Sequence, residues 1–542
     1  MVLSVEVGQF TKDATNVDGA TQNVSTGFDP KAIIVWGTLL QTSNGLGDGD
    51  VSYSHGFSDG INNVCNGSDG DDGAGTEASQ LTIRNTSCIF FGTVAGGTTE
   101  SRATISFGTN QFTVTWVVND SVATVINYIV IGGSSITAQA GSFLKSTAGA
   151  PVTQNVTINS DVQNISANGG IVFFASPDHD TLNNMVGDMD IGLGVAVPSS
   201  DEGQYHISND SGVGTSEVFQ TYSESKCMVI TDSDSGVLQA EADFTSITTT
   251  LNITWTTNDA QASPIIFLII KGGRWQTGNE TALTAGSTKD TTTLFTPTGL
   301  ITIAGRRTTE GTSQQTGSFV IGARANSTEI CGGFSELDAN TTMFYGRTLS
   351  NTKAIQILDQ GAGAPTVDGE ADASFGTNKF TMDWTNLASS AWKFLWVVMA
   401  DQPKQEFTCD AIVVNRFDKT FTCDAILVNR FDETFTCDAL LETTQTFNFL
   451  VDAFLELETT KLFLVDALLE MTFDETFTID ARLAQREEFT VDARLSALEE
   501  FTIDARLSAL EEFTVDARLI QRKEFTCDSI LIQTQTETFT CD

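Results

Sequence analysis

From Phe407 onward, apolar and polar residues alternate within a repeated four-residue word, F-T-x-D or F-L-V-D. It begins at Phe407, Phe421, Phe435, Phe449, Phe463, Phe477, Phe489, Phe501, Phe513, Phe525 and Phe539. The step between successive words is fourteen from Phe407 to Phe477, twelve from Phe477 to Phe525 and fourteen again to Phe539. The period varies but is always even. Removing two residues from a strand leaves every later side chain on its original face. The same deletion in a helix would turn everything downstream by about 200° and scatter an apolar stripe. Within FTVDARL, Phe489, Val491, Ala493 and Leu495 fall on one face and Thr490, Asp492 and Arg494 on the other, which predicts a half-buried strand. A helical reading has the helix formers of ARLSALEE and the heptad-like spacing of Phe407, Val414 and Phe421 in its favour. The shorter step, from Phe477 to Phe489, fits neither a heptad nor an eleven-residue repeat, so the strand is preferred.

Residues 404–542 contain no Gly and no Pro, and all 46 glycines lie upstream. Linkers such as SALEE and NRFDET suit longer connections better than tight two-residue hairpins, which usually need Gly or Asn at positive φ. One copy has too thin an apolar face to offset its own ordering entropy, about 1–2 kcal/mol per residue, so copies must cover one another. They could do so as rungs of a solenoid within one chain, or as strands winding with identical chains into a fibre. The expectation is an elongated, homotrimeric shaft, because closed intertwining removes free edges. The chain stops at FTCD in mid-copy, so the repeat is expected to continue beyond Asp542.

Upstream, a longer period is anchored on tryptophan. FGTNQFTVTWVVND holds Trp116, LNITWTTND holds Trp255 and FGTNKFTMDWTNL holds Trp384, at near-equal intervals along the chain. In the first two copies Asn119–Asp120 and Asn258–Asp259 signal a turn, and the following strand ends at Gly132–Gly133 or Gly272–Gly273. GFDPKAIIVWG is echoed by SANGGIVFFAS and FTPTGLITIAG, while Cys88, Cys227 and Ala354 occupy matching places before their tryptophans. Each unit reads as short Thr-, Val- and Ile-rich strands between Gly, Asn, Asp and Ser turns, and the tryptophan as a core anchor. The expected fold is all-β. Three tandem β-sandwich or jelly-roll-like domains at 1–140, 141–288 and 289–403 precede a repetitive β-strand shaft at 404–542 built from 12–14-residue F-T-x-D-A-x-L repeats.

The elements GF-x-P-K-A-apolar-W-G and F-T-x-x-W-x-x-N-D…GG resemble a β-rich domain of virion and tail-associated proteins of tailed bacteriophages. The match rests on Gly27, Phe28, Pro30, Lys31, Ala32, Trp36, Phe112, Thr113, Trp116, Asn119, Asp120, Gly132 and Gly133. It extends in part to the second unit at Trp255, Asn258 and Asp259; the third lacks the N-D turn and ends in Ala400–Asp401. The resemblance covers about a quarter of the chain. It implies a virion location; together with the repetitive shaft, the expectation is a structural protein on the virion surface, a tail or capsid fibre concerned with assembly and host attachment. The implied partners are copies of itself, other virion proteins and host-surface glycans. A microbial cell-surface adhesin or filament subunit is the alternative, and a polysaccharide depolymerase a third reading.

The formal charge of -41 and pI near 4.1 oppose binding to nucleic acid or anionic membrane by simple electrostatics. No basic start followed by an apolar core marks a secretory signal. No apolar run approaches the roughly 18 residues of a spanning helix, and no membrane insertion is expected. Nine cysteines include five, Cys409, Cys423, Cys437, Cys527 and Cys541, at the repeat's third position, where Val or Ile otherwise stands. A small buried hydrophobe is expected there.

No catalytic residue, cofactor or metal is assigned. Only His55, His179 and His206 occur, in dissimilar contexts. The best oxygen-donor loops are GDGD with Asp48 and Asp50, GSDGDDGAG with Asp69, Asp71 and Asp72, and TDSDSG with Asp232 and Asp234. None has a full calcium-loop pattern. His179, between Asp178 and Asp180, reads as part of a solvated loop.

Overall fold

The computed structural model describes residues 3–15, 17–76, 78–93, 98–198 and 201–401, and the backbone of eleven strands between 405 and 541. Among the described residues the regular structure is all β apart from one turn of 3₁₀ helix at Ser160–Val162. The chain divides into two compact units, residues 2–402 and residues 403–542.

The first unit contains three pairs of antiparallel sheets, each pair a seven-stranded and a four-stranded sheet. In the first pair the small sheet runs Ala20–Ser25, Gln111–Val118, Thr99–Gly108, Ile89–Gly92. The large sheet places Val125–Gly132 between Ser4–Thr11 and Pro30–Thr38. The other pairs repeat this order, with the echoed segments Gly170–Ala175 and Gly299–Ala304 beside Pro264–Lys271 and Lys393–Ala400. Trp116, Trp255 and Trp384 lie buried between the two sheets of their pairs. They stand opposite Ala103, Ala242 and Ala371, whose carbonyls accept the amides of Cys88, Cys227 and Ala354. The matching places inferred from sequence are thus matching places in space. Gly56, Gly194 and Gly322 let those segments in: an added Cβ would sit 2.0, 1.8 and 1.9 Å from the carbonyl oxygens of Cys88, Cys227 and Ala354.

Each pair has a core of its own, and the three pairs share a further one. On Pro264–Lys271, Ile265, Phe267 and Ile269 enter the core within their own sandwich, whereas Ile266, Leu268 and Ile270 enter a core common to all three large sheets. Ile33 and Val35 likewise face the sandwich while Ala32, Ile34 and Trp36 face the common core. In the third pair Phe394, Trp396 and Val398 part from Leu395, Val397 and Met399 in the same way. Alternate side chains point to opposite faces of a sheet, so a strand apolar at every position needs cover on both faces.

Backbone pairing closes the group into a ring. Met185–Gly187, from the second segment of chain, adds an edge strand to the first pair at Gln80–Thr82. Gly311–Gln314 from the third adds one to the second at Phe219–Tyr222, and Gly45–Asp48 from the first adds one to the third at Gly346–Leu349. Each sandwich gives one strand and receives one. The chain passes from the first pair to the second after Gly132 and to the third after Lys271, so Thr137–Leu144 and Arg274–Thr281 already belong to the later sheets. Gly133, Gly272 and Gly273 make these crossings at positive φ (122°, 98° and 73°), a region that favours glycine.

The second unit consists of two parallel sheets. Odd-numbered repeats form a six-stranded sheet and even-numbered ones a five-stranded sheet. Phe407 pairs with Phe435, Phe435 with Phe463, Phe463 with Phe489 and Phe489 with Phe513, although the chain between partners shortens along the series. The repeats are extended strands, and their ladders close within one chain. The last strand pairs Phe513 with Glu537 and Val515 with Phe539, a slip of two that keeps each position on its face. The linkers, the burial of the Phe489–Leu495 face, the setting of the repeat cysteines and the continuation past Asp542 lie outside the described residues.

Because the common core joins all three sandwiches, residues 2–402 are expected to melt together. Leu268→Ala, which empties part of that core, should cost about 2–5 kcal/mol. Calorimetry of the full chain should show one transition for the three sandwiches, moved as a whole; three separable transitions would contradict the shared core.

Candidate functional site

Two of the donated strands, Gly45–Asp48 and Met185–Gly187, run directly into acidic residues. In the second sandwich, Asp188 follows Met185–Gly187 in the left-handed region, at φ 72°. It accepts the Ser211 amide at 2.8 Å and the Ser233 hydroxyl at 3.1 Å. Asp210 comes from the turn after Glu202–Asn209 and Asp234 from TDSDSG. One carboxylate oxygen from each of Asp188, Asp210 and Asp234 lies within 4.8 Å of the others. Burial, then Asp234 and Asp188, pushes the Asp210 carboxyl up to about 6. Burial also raises Asp188, with Asp234 adding to the effect. Among the described residues none of the three joins a salt bridge. The trio is an all-oxygen donor set suited to a hard cation, three of the roughly six to eight oxygens calcium takes. Asp232 is spent on its own loop, accepting the Asp234 amide, the Ser235 hydroxyl and the Gln239 amide nitrogen at 2.9–3.0 Å.

The corresponding loops of the first sandwich are neutralised differently. Arg347, from the third sandwich, donates to the carbonyls of Leu39, Asp48 and Asp50 at 2.7–3.2 Å. Asp50 accepts the Asp72 amide, and Asp72 accepts the Tyr345 amide. Asp48, Asp50 and Asp72 thus gather round a guanidinium at the seam where Gly45–Asp48 crosses. Asp69 lies not on the loop but inside Asn63–Gly70, 2% exposed, and neither carboxylate oxygen has a hydrogen-bond partner. Burial, helped by Glu100, pushes it up to about 8.

The histidines occupy three settings. His55 stacks on Phe319 at 6.1 Å between Tyr53 and Phe57, and burial pushes it down to about 3. His206 is fully buried and its Nε2 contacts Asp190 Oδ1. Asp190 Oδ2 accepts the Asp178 amide at 2.6 Å, and burial with Asp190 pushes Asp178 up to about 7. His179 is only 4% exposed, not on the solvated loop that the sequence suggested, because SPDHD folds back over this pair. The structure therefore brings Asp178, His179, Asp190 and His206 together, and neither Asp190 nor Asp210 was singled out from sequence. The polar residue at Asp190 inside apolar MDIGLGVA was the available signal. A cleft of about 340 Å³ lies between the first and third sandwiches, lined by Leu3, Val5, Phe28 and Glu6 among others. Glu6 is already engaged by the Gly27 amide and the Tyr128 hydroxyl.

No family model and no curated protein matches the chain. A solved structure of Pseudomonas aeruginosa OccK11 (OpdR) aligns at 8% identity over 70% of this chain and 98% of that one, with a TM-score of 0.08, too low to carry an argument. Among the described residues no helix is long and apolar enough to cross a membrane.

A carboxyl raised from 3.8 to about 8 in the fold holds a proton that the unfolded chain has released. Its stabilising contribution is present at acid pH and is lost as pH rises towards 8. Asp69→Asn removes this titration. The variant should lose fewer degrees of Tm than the parent between pH 5 and pH 8; parallel curves would show that Asp69 is ionised in the fold.

Proposed function

We propose that the chain is a structural fibre protein of a virus particle, in the tail or on the capsid, serving assembly and attachment to the host surface. The observation that carries this reading is the stack of strands between residues 405 and 531, in which Phe pairs with Phe and Asp with Asp on neighbouring strands of each sheet. At about 4.8 Å per strand, six strands give a stack of roughly 24 Å. Each further pair of repeats lengthens it by one spacing without altering what is already there. The ring of sandwiches supports the same reading: it is acidic, and it offers particle proteins or host glycans three similar faces from one chain. The homotrimer expected from sequence becomes, in this reading, three closed stacks side by side rather than three intertwined chains.

Gold-labelled antibody against residues 405–541 should mark a projection on purified particles in electron micrographs. Label confined to cell envelopes would replace the virion reading with the adhesin one. Sedimentation of the purified chain should give three times the chain mass; a monomer would remove the trimer and leave the fibre to be judged by the micrographs.

A further inference from the structure

Each sandwich has one site where the end of its first strand meets the turn after its tryptophan strand. In the first, Lys12 follows Ser4–Thr11 of the large sheet and Asp120 lies just past Gln111–Val118 of the small sheet. The Lys12 side chain is 0% exposed and its Nζ contacts Asp120 Oδ1. The same Nζ donates to the carbonyls of Asp120 at 2.8 Å and Val122 at 3.1 Å and lies 5.2 Å from the Trp116 ring centroid. Asp120 Oδ2 is buried without a hydrogen-bond partner. Glu100 lies near Asp120, its carboxyl raised by burial and then by the charge of Asp120.

The other two sandwiches vary this arrangement. Aligned on Ala103, Ala242 and Ala371, the place of Glu100 is taken by Gln239 and Asp368. The second keeps the pair, with Lys145 Nζ against Asp259 Oδ1 and 2.8 Å from Asn258 Oδ1. There Gln239 turns to Asp232, so no acid supports the carboxyl from that position. The third has Ala282 and Ala388, both buried, in place of lysine and aspartate. Amine, carboxyl and supporting acid come together in the first sandwich.

We propose that Lys12 and Asp120 join through an intramolecular amide bond, with Glu100 as the acid that assists its formation. Lys12, in its water-poor pocket, gives a proton to the Asp120 carboxylate and becomes a neutral amine. A proton carried by Glu100 would bridge to Asp120 Oδ2 and draw electron density from Cγ. Nζ attacks Cγ, the Cγ–Oδ1 bond breaks, and Oδ1 leaves as water with a second proton from Nζ that Glu100 relays. Ammonium and carboxylate become amide and water, Glu100 ends as it began, and nothing is oxidised or reduced. The Asp120 and Val122 carbonyls point Nζ at the carboxyl, and the remaining amide N–H keeps an acceptor. The bond would staple the large sheet to the small one, tying residue 12 to residue 120 across a sandwich that must bear load if the chain is a fibre. It rests on the site's geometry and not on the fibre reading.

Peptide mapping of the full-length folded chain tests it. Trypsin should fail to cut after Lys12, leaving residues 1–31 joined to residues 103–145, and the intact mass should fall one water short of the sequence mass. Lys12→Arg, which keeps the charge but cannot form the bond, should restore the sequence mass with an unchanged circular dichroism spectrum. Glu100→Gln should lower the joined fraction at least tenfold while Lys12 and Asp120 stay in contact. A linear peptide ending at Lys12 from the folded wild-type chain would overturn the proposal. A joined fraction unchanged in Glu100→Gln, or an equal joining of Lys145 to Asp259, would overturn the part given to Glu100.

Discussion

The first unit depends on sheets that are apolar on both faces. A two-layer sandwich covers one face of its larger sheet and would leave Ile266, Leu268 and Ile270, or Ala32, Ile34 and Trp36, against water. Each such side chain is worth about 1.5–3 kcal/mol when buried, and a contiguous exposed patch of this kind is an association surface. Three sandwiches from one chain meet the demand by turning these faces towards each other. The donated strands then cover one edge of each large sheet with a short strand from a neighbour, where a longer edge would otherwise present its amides and carbonyls. Core and edge are satisfied by the same ring.

The second unit meets a similar demand by stacking. A parallel ladder needs identical positions to return at each rung while the connections vary in length. The chain changes its connections only by even steps, so that Phe407 meets Phe435, Phe463 meets Phe489 and Phe489 meets Phe513 with two fewer positions between partners each time. Even the final strand, whose register slips, slips by two. Parity is the constraint, because an odd change would exchange the two faces of every later strand.

Strand periodicity, three internal copies, the tryptophan anchors and the alignment of Cys88, Cys227 and Ala354 were legible in the sequence because each leaves a side-chain signature at fixed spacing. The ring was not. GLGD, MVG and GTSQ are short, and backbone pairing to a neighbouring sandwich leaves no trace in residue type. The common core did leave one, since PIIFLII is apolar at every position instead of every second one, but a strand covered on both faces does not say by what. At the candidate site, Asp232 and Asp234 stood out as a loop, whereas the partners of Asp234 are Asp188 and Asp210, each carried by an earlier strand or turn. Sequence exposes acids that are neighbours along the chain and hides those that are neighbours through a sheet. His206 and Asp190, paired across adjacent strands and fully buried, are hidden for the same reason.

The fate of the lysine–aspartate pair across the three sandwiches bears on why it exists. Removing one partner of a buried ion pair leaves an uncompensated charge at a cost of about 3–5 kcal/mol, whereas replacing both by apolar residues is often neutral or favourable. The third sandwich holds the double replacement, Ala282 with Ala388, and keeps the same sheets and the same buried tryptophan. The fold therefore does not require the pair. A charge pair that the architecture can dispense with, yet that sits beneath Trp116 and Trp255 in the other two sandwiches, is better explained by what an amine pressed against a carboxyl can do than by the stability of the ion pair itself.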